Sequence, residues 1–256
     1  MGASRLGHTA RLPTNALRRI RSAFGSLASR RQTRTIWPLP RHIGVVMDGN
    51  RRWARAAGLS SKEGHSAGAE HLKQLLTWCS RWGIEHVSVY VLSADNIRKR
   101  SGQEVENLFE LLTNTLPKVV TDNNEWSLHV AGDMNLLPKA ACEALNQAVD
   151  QTKDRTGHLT MAVGYDGRGA IVEAIRTTML NGDSINVDTI TQACTGGPVK
   201  NIDLVIRTGS QTRLSGFFPW QTTHAELYLS SKMWPAFTVG DFEDALHYYG
   251  SKLSRH

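Results

Sequence analysis

One short run places the groups needed to hold and activate an anionic substrate next to one another. Asp48-Gly49-Asn50-Arg51-Arg52 sets a carboxylate, an amide and two guanidiniums side by side. Gly49 can take φ > 0 in a turn, and Asn50 stands where a helix N-cap belongs. The N–H groups of a helix start then aim at one point and favour an anion there. A carboxylate beside such a site makes chemical sense when a divalent cation lies between them. The residue types therefore point to diphosphate with Mg²⁺. The plain alternative is an ordinary βα turn with an aspartate at the helix start. A second group, Arg207, Arg213 and Ser215, flanks a turn at Gly209. Guanidinium forks match phosphate oxygens, although alone these arginines equally suit a solvated loop.

The elements that must position these groups read as alternating strands and helices. Ile43, Val45, Val46 and Met47 suit a strand covered on both faces, followed by a helix over 51–57. After a loop over 58–64, a helix over 65–82 carries Leu72, Leu75, Leu76 and Cys79 on one face and stops at Gly83. Further strands are expected over 87–92, 128–131, 159–163, 203–206 and 227–229. Further helices are expected over 104–120 (with Pro117 as a bend), 139–149, 167–179 and 241–253. This is an α/β pattern with a mainly parallel sheet, and ligands of such sheets bind beyond the carboxyl ends of the strands. Asp48, Ser93, Tyr165 and Arg207 all fall there. Gly164-Tyr165-Asp166-Gly167-Arg168-Gly169 is a poor match to a dinucleotide loop.

Composition narrows the function. The chain has 256 residues and a net charge of +7. Nine arginines and no acid lie in residues 1–41, so residues 42–256 hold 30 − 9 = 21 basic against 23 acidic residues. A nucleic-acid-binding core would keep a basic excess in the fold itself, so no nucleic-acid partner is expected. The apolar runs are strand-sized, too short to span a bilayer. Cys79, Cys142 and Cys194 are odd in number and far apart, fitting buried thiols in a reducing cytoplasm. The division expected is a basic tail over 1–41 and a catalytic domain over 42–256. In the tail Leu17, Ile20, Phe24 and Leu27 repeat at helical spacing among arginines. Three readings stand: a helix packed on the core, an interfacial helix on anionic lipid, or an organelle presequence.

From Arg41 to about Gly250 the chain resembles the cis-prenyltransferase (undecaprenyl diphosphate synthase) family. The pieces are the run His42–Ala54, Gly64-His65, Gly68, Ser93-Ala94-Asp95-Asn96, Gly164 to Arg168 and Asp203 to Gly209. Arg213 to Phe217, Trp220-Gln221, Ala225 to Tyr228 and Trp234-Pro235 complete them, in family order and spacing. The resemblance implies a parallel sheet flanked by helices, with an apolar tunnel for a growing prenyl chain. It implies Mg²⁺ on Asp48, helped by Glu226, and an allylic diphosphate cradled by Gly49, Asn50, Arg51 and Arg52, with Trp53 beside them. Asn96 and Arg100 belong to the same site. Asn50, His65 and Ser93 match positions proposed to assist proton removal, and Arg207, Arg213 and Ser215 match those that hold isopentenyl diphosphate. On residue type alone His65 is a capping or surface histidine and Asn96 a turn residue. Phe217, Trp220 and Trp234 are read as core or dimer contacts, and a homodimer is implied by the resemblance only.

The chain also departs from the family. Ser61, beside Lys62, replaces an arginine; Ile97 replaces an aromatic residue; one residue is added before Glu104, so Lys99 or Arg100 stands in for an arginine. Ser210-Gln211-Thr212 replaces Gly-Glu-His. Val91 replaces a common alanine and narrows the expected tunnel, and Leu92 beside it is read as substrate-binding. Ala162-Val163-Gly164-Tyr165 resembles short-chain (2Z,6E)-farnesyl diphosphate synthases. The expected reaction joins isopentenyl diphosphate to dimethylallyl or geranyl diphosphate, giving a short product. The rival joins two allylic diphosphates head-to-middle into a branched, lavandulyl-type product; a non-catalytic partner subunit is the third reading.

Overall fold

The computed structural model describes residues 37–100 and 102–254. The tail helix expected around Leu17–Leu27 lies outside the described residues. Six strands form one parallel sheet: β1 (His42–Val46), β2 (His86–Ser93), β3 (Trp126–Ala131), β4 (Gly157–Tyr165), β5 (Leu204–Arg207) and β6 (Glu226–Leu229), in the order β3-β4-β2-β1-β5-β6. The mainly parallel α/β sheet expected from the sequence is what the chain forms.

β1 is central, with β2 on one side and β5 on the other, and all five of its residues are buried. Alternate side chains go to opposite faces. Ile43, Val45, Leu204 and Ile206 join the larger core with Leu72, Leu75 and Leu76, while Val46 and Val205 join a second core with Phe217 and Phe218. Burial on both faces is why these strands read as nearly continuous apolar runs.

The helices are α1 (Asn50–Ala56), α2 (Ser61–Trp82), α3 (Ala94–Lys99), α4 (Gly102–Asn114), α5 (Leu116–Thr121), α6 (Lys139–Thr152), α7 (Gly167–Leu180), α8 (Val187–Ala193) and α9 (Val239–Leu253). Several differ from expectation, each for a local reason. The loop over 58–64 is shorter, because Ser60 and Glu63 form a reciprocal capping box that starts α2 at Ser61. The single helix over 104–120 is two. Pro117 lacks an N–H and its ring crowds the preceding turn, so the helix stops at Asn114 and restarts with Pro117 in its first turn. The short helices α3 and α8 were not expected; Ser93 and Asn186 cap them. The helix expected from 241 starts at Val239, behind a capping box of Thr238 and Asp241. Trp37 packs on α9, its ring 4.2 Å from that of His247.

Candidate active site

The turn after β1 is built by tertiary contacts as much as by its own residues. Gly49 is the N-cap of α1, at φ 111°, and Asn50 is the first helical residue. That corrects the N-cap expected at Asn50. A side chain at 49 would strain the backbone, and its Cβ would come within 2.8 Å of Met233. The Asp48 carbonyl accepts from Thr208 Oγ1 at 2.7 Å and from Trp234 N–H at 2.9 Å, tying the turn to the end of β5 and to the 234–236 turn. α1 lies close on α2. A Cβ on Gly68 would meet Asn50 Oδ1 at 2.5 Å, and one on Gly64 would meet the Asn50 carbonyl at 2.5 Å. Asn50 Nδ2 donates to the Met47 carbonyl at 3.4 Å, while the buried Oδ1 has no partner among the described residues.

Asp48 stands between two guanidiniums. Arg52 Nη2 donates to Oδ1 at 3.2 Å and Arg207 Nη2 donates to Oδ2 at 3.1 Å. Arg52 also donates to the Gly209 carbonyl at 2.7 Å. Arg207 is nearly buried, and its Nη1 donates to Ser215 Oγ at 3.2 Å. Arg207 therefore touches both anion groups read from the sequence, and the two belong to one cavity. Ser210, Ser215 and Phe218 have φ of 60°, 53° and 40°. Strain of this kind in non-glycine residues concentrates at functional sites.

The cavity has a volume of about 800 Å³ and lies beyond the carboxyl ends of β1, β2, β4 and β5. Seven arginines line it (Arg51, Arg52, Arg55, Arg98, Arg100, Arg207 and Arg213) against Asp48, Asp95 and Asp166. Residues 42–256 are net acidic, yet the cavity is strongly basic. α1 has only seven residues, so these guanidiniums carry most of the positive field. The other side of the cavity is apolar, with Val91, Leu92, Ala69, Leu108, Leu111, Leu112 and Leu116 in its wall. These come from β2, α2, α4 and α5. An apolar tunnel between sheet and helices thus opens from an arginine-rich mouth.

Most expected residues meet here: Asp48, Gly49, Asn50, Arg51, Arg52, His65, Val91, Leu92, Ser93, Asn96, Arg100, Arg207, Arg213 and Ser215 all line the cavity. Two do not. Trp53, on α1, is not among the lining residues. Glu226 pairs with Leu204 in the β5–β6 register, three positions before Leu229, the partner of Arg207. At a strand rise of about 3.3 Å per residue this is about 10 Å from the carboxyl end. Glu226 thus stands apart from the cavity lining that holds Asp48.

Three polar groups have constrained chemistry. Ser93 Oγ accepts the Asn96 N–H at 3.0 Å and so caps α3. His65 is largely buried, which together with Arg100 lowers its pKa to about 4, so it is neutral at physiological pH. Its Nε2 lies 3.7 Å from Glu104 Oε1, beyond hydrogen-bonding reach. Tyr165 lines the cavity with its hydroxyl buried and without a partner among the described residues, and burial raises its pKa.

Sequence reasoning placed Tyr165 at the ligand-binding end of the sheet, where it lines the cavity, but missed Tyr90, Arg55 and Arg98 as lining residues, and Glu104 behind them. Tyr165 ends β4, while Tyr90 lies inside β2 just before its register irregularity, which nothing in the sequence marks. For Glu104 the (i,i+4) spacing to Arg100, whose Nη1 lies at 2.8 Å, was a local signal, whereas its contact with Arg51 Nη1 at 3.3 Å joins residues distant in sequence and left none.

Comparison with known proteins agrees with this architecture. Residues 46–256 match the family model described as "Putative undecaprenyl diphosphate synthase". A (2Z,6E)-farnesyl diphosphate synthase of Thermobifida fusca is 38% identical over 231 residues, 85% of this chain and 90% of that protein. An isoprenyl transferase of Streptomyces avermitilis is 37% identical over 230 residues, covering 85% and 89%. The crystal structure of lavandulyl diphosphate synthase from Lavandula x intermedia, in complex with dimethylallyl diphosphate, superposes with a TM-score of 0.75 at 31% identity, over 82% of this chain and 95% of that one. A parallel sheet with an arginine-rich mouth opening into an apolar tunnel defines a prenyl diphosphate-handling transferase. This chain belongs to the cis-prenyltransferase (undecaprenyl diphosphate synthase) family.

Proposed function

We propose that this protein is a Mg²⁺-dependent, short-chain cis-prenyltransferase that joins isopentenyl diphosphate to dimethylallyl or geranyl diphosphate and releases diphosphate. The observation that carries the reading is the single cavity in which Asp48, between Arg52 and Arg207, faces an apolar tunnel. In the reaction the allylic C1–O bond breaks and the diphosphate leaves with the electron pair. C1 bonds to C4 of isopentenyl diphosphate, and C2 of that unit loses a proton to form the new double bond.

The residues present fit a Mg²⁺–diphosphate. Mg²⁺ is commonly held by one or two carboxylates plus phosphate oxygens and water, and Asp48 offers one partly exposed carboxylate at the mouth. Among the described residues no three His, Cys, Asp or Glu side chains converge on one point, so substrate oxygens would complete the coordination. When bound, the ion supplies charge neutralisation to the leaving diphosphate.

The chain's own groups do the rest. Arg51, Arg52 and Arg100 hold the allylic diphosphate with the N–H groups of Gly49 and Asn50. Arg207, Arg213 and Ser215 hold the second diphosphate. Arg207 contacts both groups of residues, setting the acceptor double bond near C1, and such alignment lowers the barrier by pre-organisation. The leucines of α4 and α5 exclude water from the cationic transition state. Asn50 Oδ1, unused beside the cavity, can accept a hydrogen bond and so orient the departing proton, which the released diphosphate, a far stronger base than an amide oxygen, takes up. His65, with its low pKa, is a weak base, and Ser93 is committed to its cap.

The family adds a homodimer to this reading, and composition adds a cytoplasmic setting, residues 42–256 as the catalytic domain and residues 1–41 as a basic tail, for which peripheral membrane contact stands beside a helix packed on the core and an organelle presequence. Three free cysteines support a reducing compartment. Among the described residues no helix is long and apolar enough to cross a membrane.

The alternative, head-to-middle joining of two allylic diphosphates, draws on the lavandulyl diphosphate synthase likeness and on Ser210-Gln211-Thr212 beside the second site. Product analysis separates them. The protein is incubated with Mg²⁺ and dimethylallyl or geranyl diphosphate, with and without isopentenyl diphosphate, and the dephosphorylated alcohols are identified. A linear cis alcohol that requires isopentenyl diphosphate is expected. A branched alcohol from allylic diphosphate alone would replace this reading with the irregular one, and no product from any pair would favour a partner subunit.

A further inference from the structure

Glu104 does not line the cavity, yet it contacts three side chains that do. Its Oε2 accepts from Arg51 Nη1 at 3.3 Å and its Oε1 from Arg100 Nη1 at 2.8 Å; Oε1 also lies 3.7 Å from His65 Nε2. The three partners come from different elements: Arg51 from α1, His65 from α2 and Arg100 from the end of α3. Glu104 itself is in the first turn of α4. Its side chain is only 16% exposed, and that of Arg100 only 20%.

Without this carboxylate the arrangement would be unfavourable. Arg51 and Arg100 are close enough to disfavour each other's charge, and each also disfavours charge on His65. A single carboxylate between them relieves that repulsion. It also fixes guanidiniums that would otherwise sample many rotamers, the general means by which a site is pre-organised before its ligand arrives. Arg52 and Arg207 receive the same service from Asp48. Each pair of arginines at the mouth thus has one acidic holder.

We propose that Glu104 is a positioning residue for the allylic diphosphate, acting through Arg51 and Arg100. The proposal rests on the reading of this cavity as an allylic diphosphate site. It has an opposite that the same geometry makes testable. A carboxylate near a diphosphate also repels it, so if repulsion outweighed positioning, neutralising Glu104 would tighten binding. Its place behind the arginines, outside the cavity wall, favours positioning.

The test is calorimetric titration with dimethylallyl S-thiolodiphosphate, an unreactive allylic analogue, in the presence of Mg²⁺. Wild type, Glu104→Gln, Arg51→Ala/Arg100→Ala and the triple variant are compared, with a thermal unfolding midpoint for each. Expected is a Kd raised about tenfold or more by Glu104→Gln, as for loss of hydrogen bonds to charged groups. In the Arg51→Ala/Arg100→Ala background the same substitution should change Kd by less than about twofold, the mark of an effect carried by those arginines. An unchanged or tighter Kd for Glu104→Gln overturns the proposal. So does a penalty that persists undiminished without the arginines, or one matched by an equal loss of affinity for isopentenyl diphosphate alone, which would mark a general loss of structure. Should Glu104→Gln prove too unstable to purify, Glu104→Asp serves in its place, with a smaller penalty expected in the same pattern. Wild type that fails to bind the analogue refutes the allylic-site reading itself, an outcome distinct from wild type that binds and a variant that binds equally well.

Discussion

At the scale of single residues, Asp48 joins the most functions. Its carboxylate holds Arg52 and Arg207, and its carbonyl ties β1 to β5 and to the 234–236 turn. Removing the carboxylate would leave Arg207, with 6% of its side chain exposed, short of its counter-charge. Asp48→Ala is expected to lower Mg²⁺-dependent turnover about 10²–10³-fold, in the range seen when a group stabilising developing charge is lost. Asp48→Asn keeps the shape and separates charge from packing: it should retain most of the thermal stability and little of the turnover. Steady-state rates with both substrates saturating decide this, and an Asp48→Ala protein that keeps most of its turnover would end the assignment.

At the scale of elements, the tunnel is made by β2 on one side and by α4 and α5 on the other. Val91 comes from the irregular end of β2, where the register with β4 shifts between Tyr90 and Leu92, and its half-buried side chain faces the cavity. Leu108, Leu111, Leu112 and Leu116 face it from the two helices. The break at Thr115 separates α5 from α4, and Leu116 just after it still lines the cavity. Val91→Ala removes two methyl groups from the wall without touching an arginine, so a longer prenyl chain should fit. The expected outcome is a shift toward products longer by at least one isoprene unit, with initial turnover of the first condensation changed only a few-fold. An identical product spectrum from the variant would remove Val91 from the determinants of length.

At the scale of the whole molecule, the two ends of the sheet differ in kind. The carboxyl ends carry the arginine-rich cavity. Toward the amino ends, His42, His86 and His158 stand in register across β1, β2 and β4, and His129 of β3 joins His158 at 3.0 Å. Ser88 and Asp203 face His42, Glu85 and Arg41 face His86, Glu85 also faces His158, and Lys200 faces His129. Burial, then the neighbouring imidazoles, lowers the pKa of His42 and of His129 to about 4. These pKa values lie below that of an unfolded histidine, so the unfolded chain binds more protons between about pH 6.5 and 4. Stability is therefore expected to be full above that window and to fall as pH drops through it. For the buried His42 the loss is on the order of 2–3 kcal/mol, or several degrees in Tm. Unfolding midpoints measured at fixed ionic strength across that window test this; a flat profile would show that the histidines titrate alike in both states.

The sequence by itself determined what is local or repeated along the chain. Two-sided apolar strands, helical periodicity, the Asp-Gly turn after β1 and the phosphate-matching arginines lie in contiguous residues, so their types and spacing suffice to read them. They identified the α/β sheet, its ligand-binding end and the family. Only the tertiary structure decided matters that depend on contacts between distant segments. It moved the N-cap from Asn50 to Gly49, since the close packing of α2 and Met233 on the turn sets that backbone. It merged two anion groups through Arg207, left Glu226 and Trp53 out of the cavity lining, and brought Glu104 to Arg51. Periodicity reports which face of an element is buried; which side chain of another element meets it is set by the packing of the whole chain.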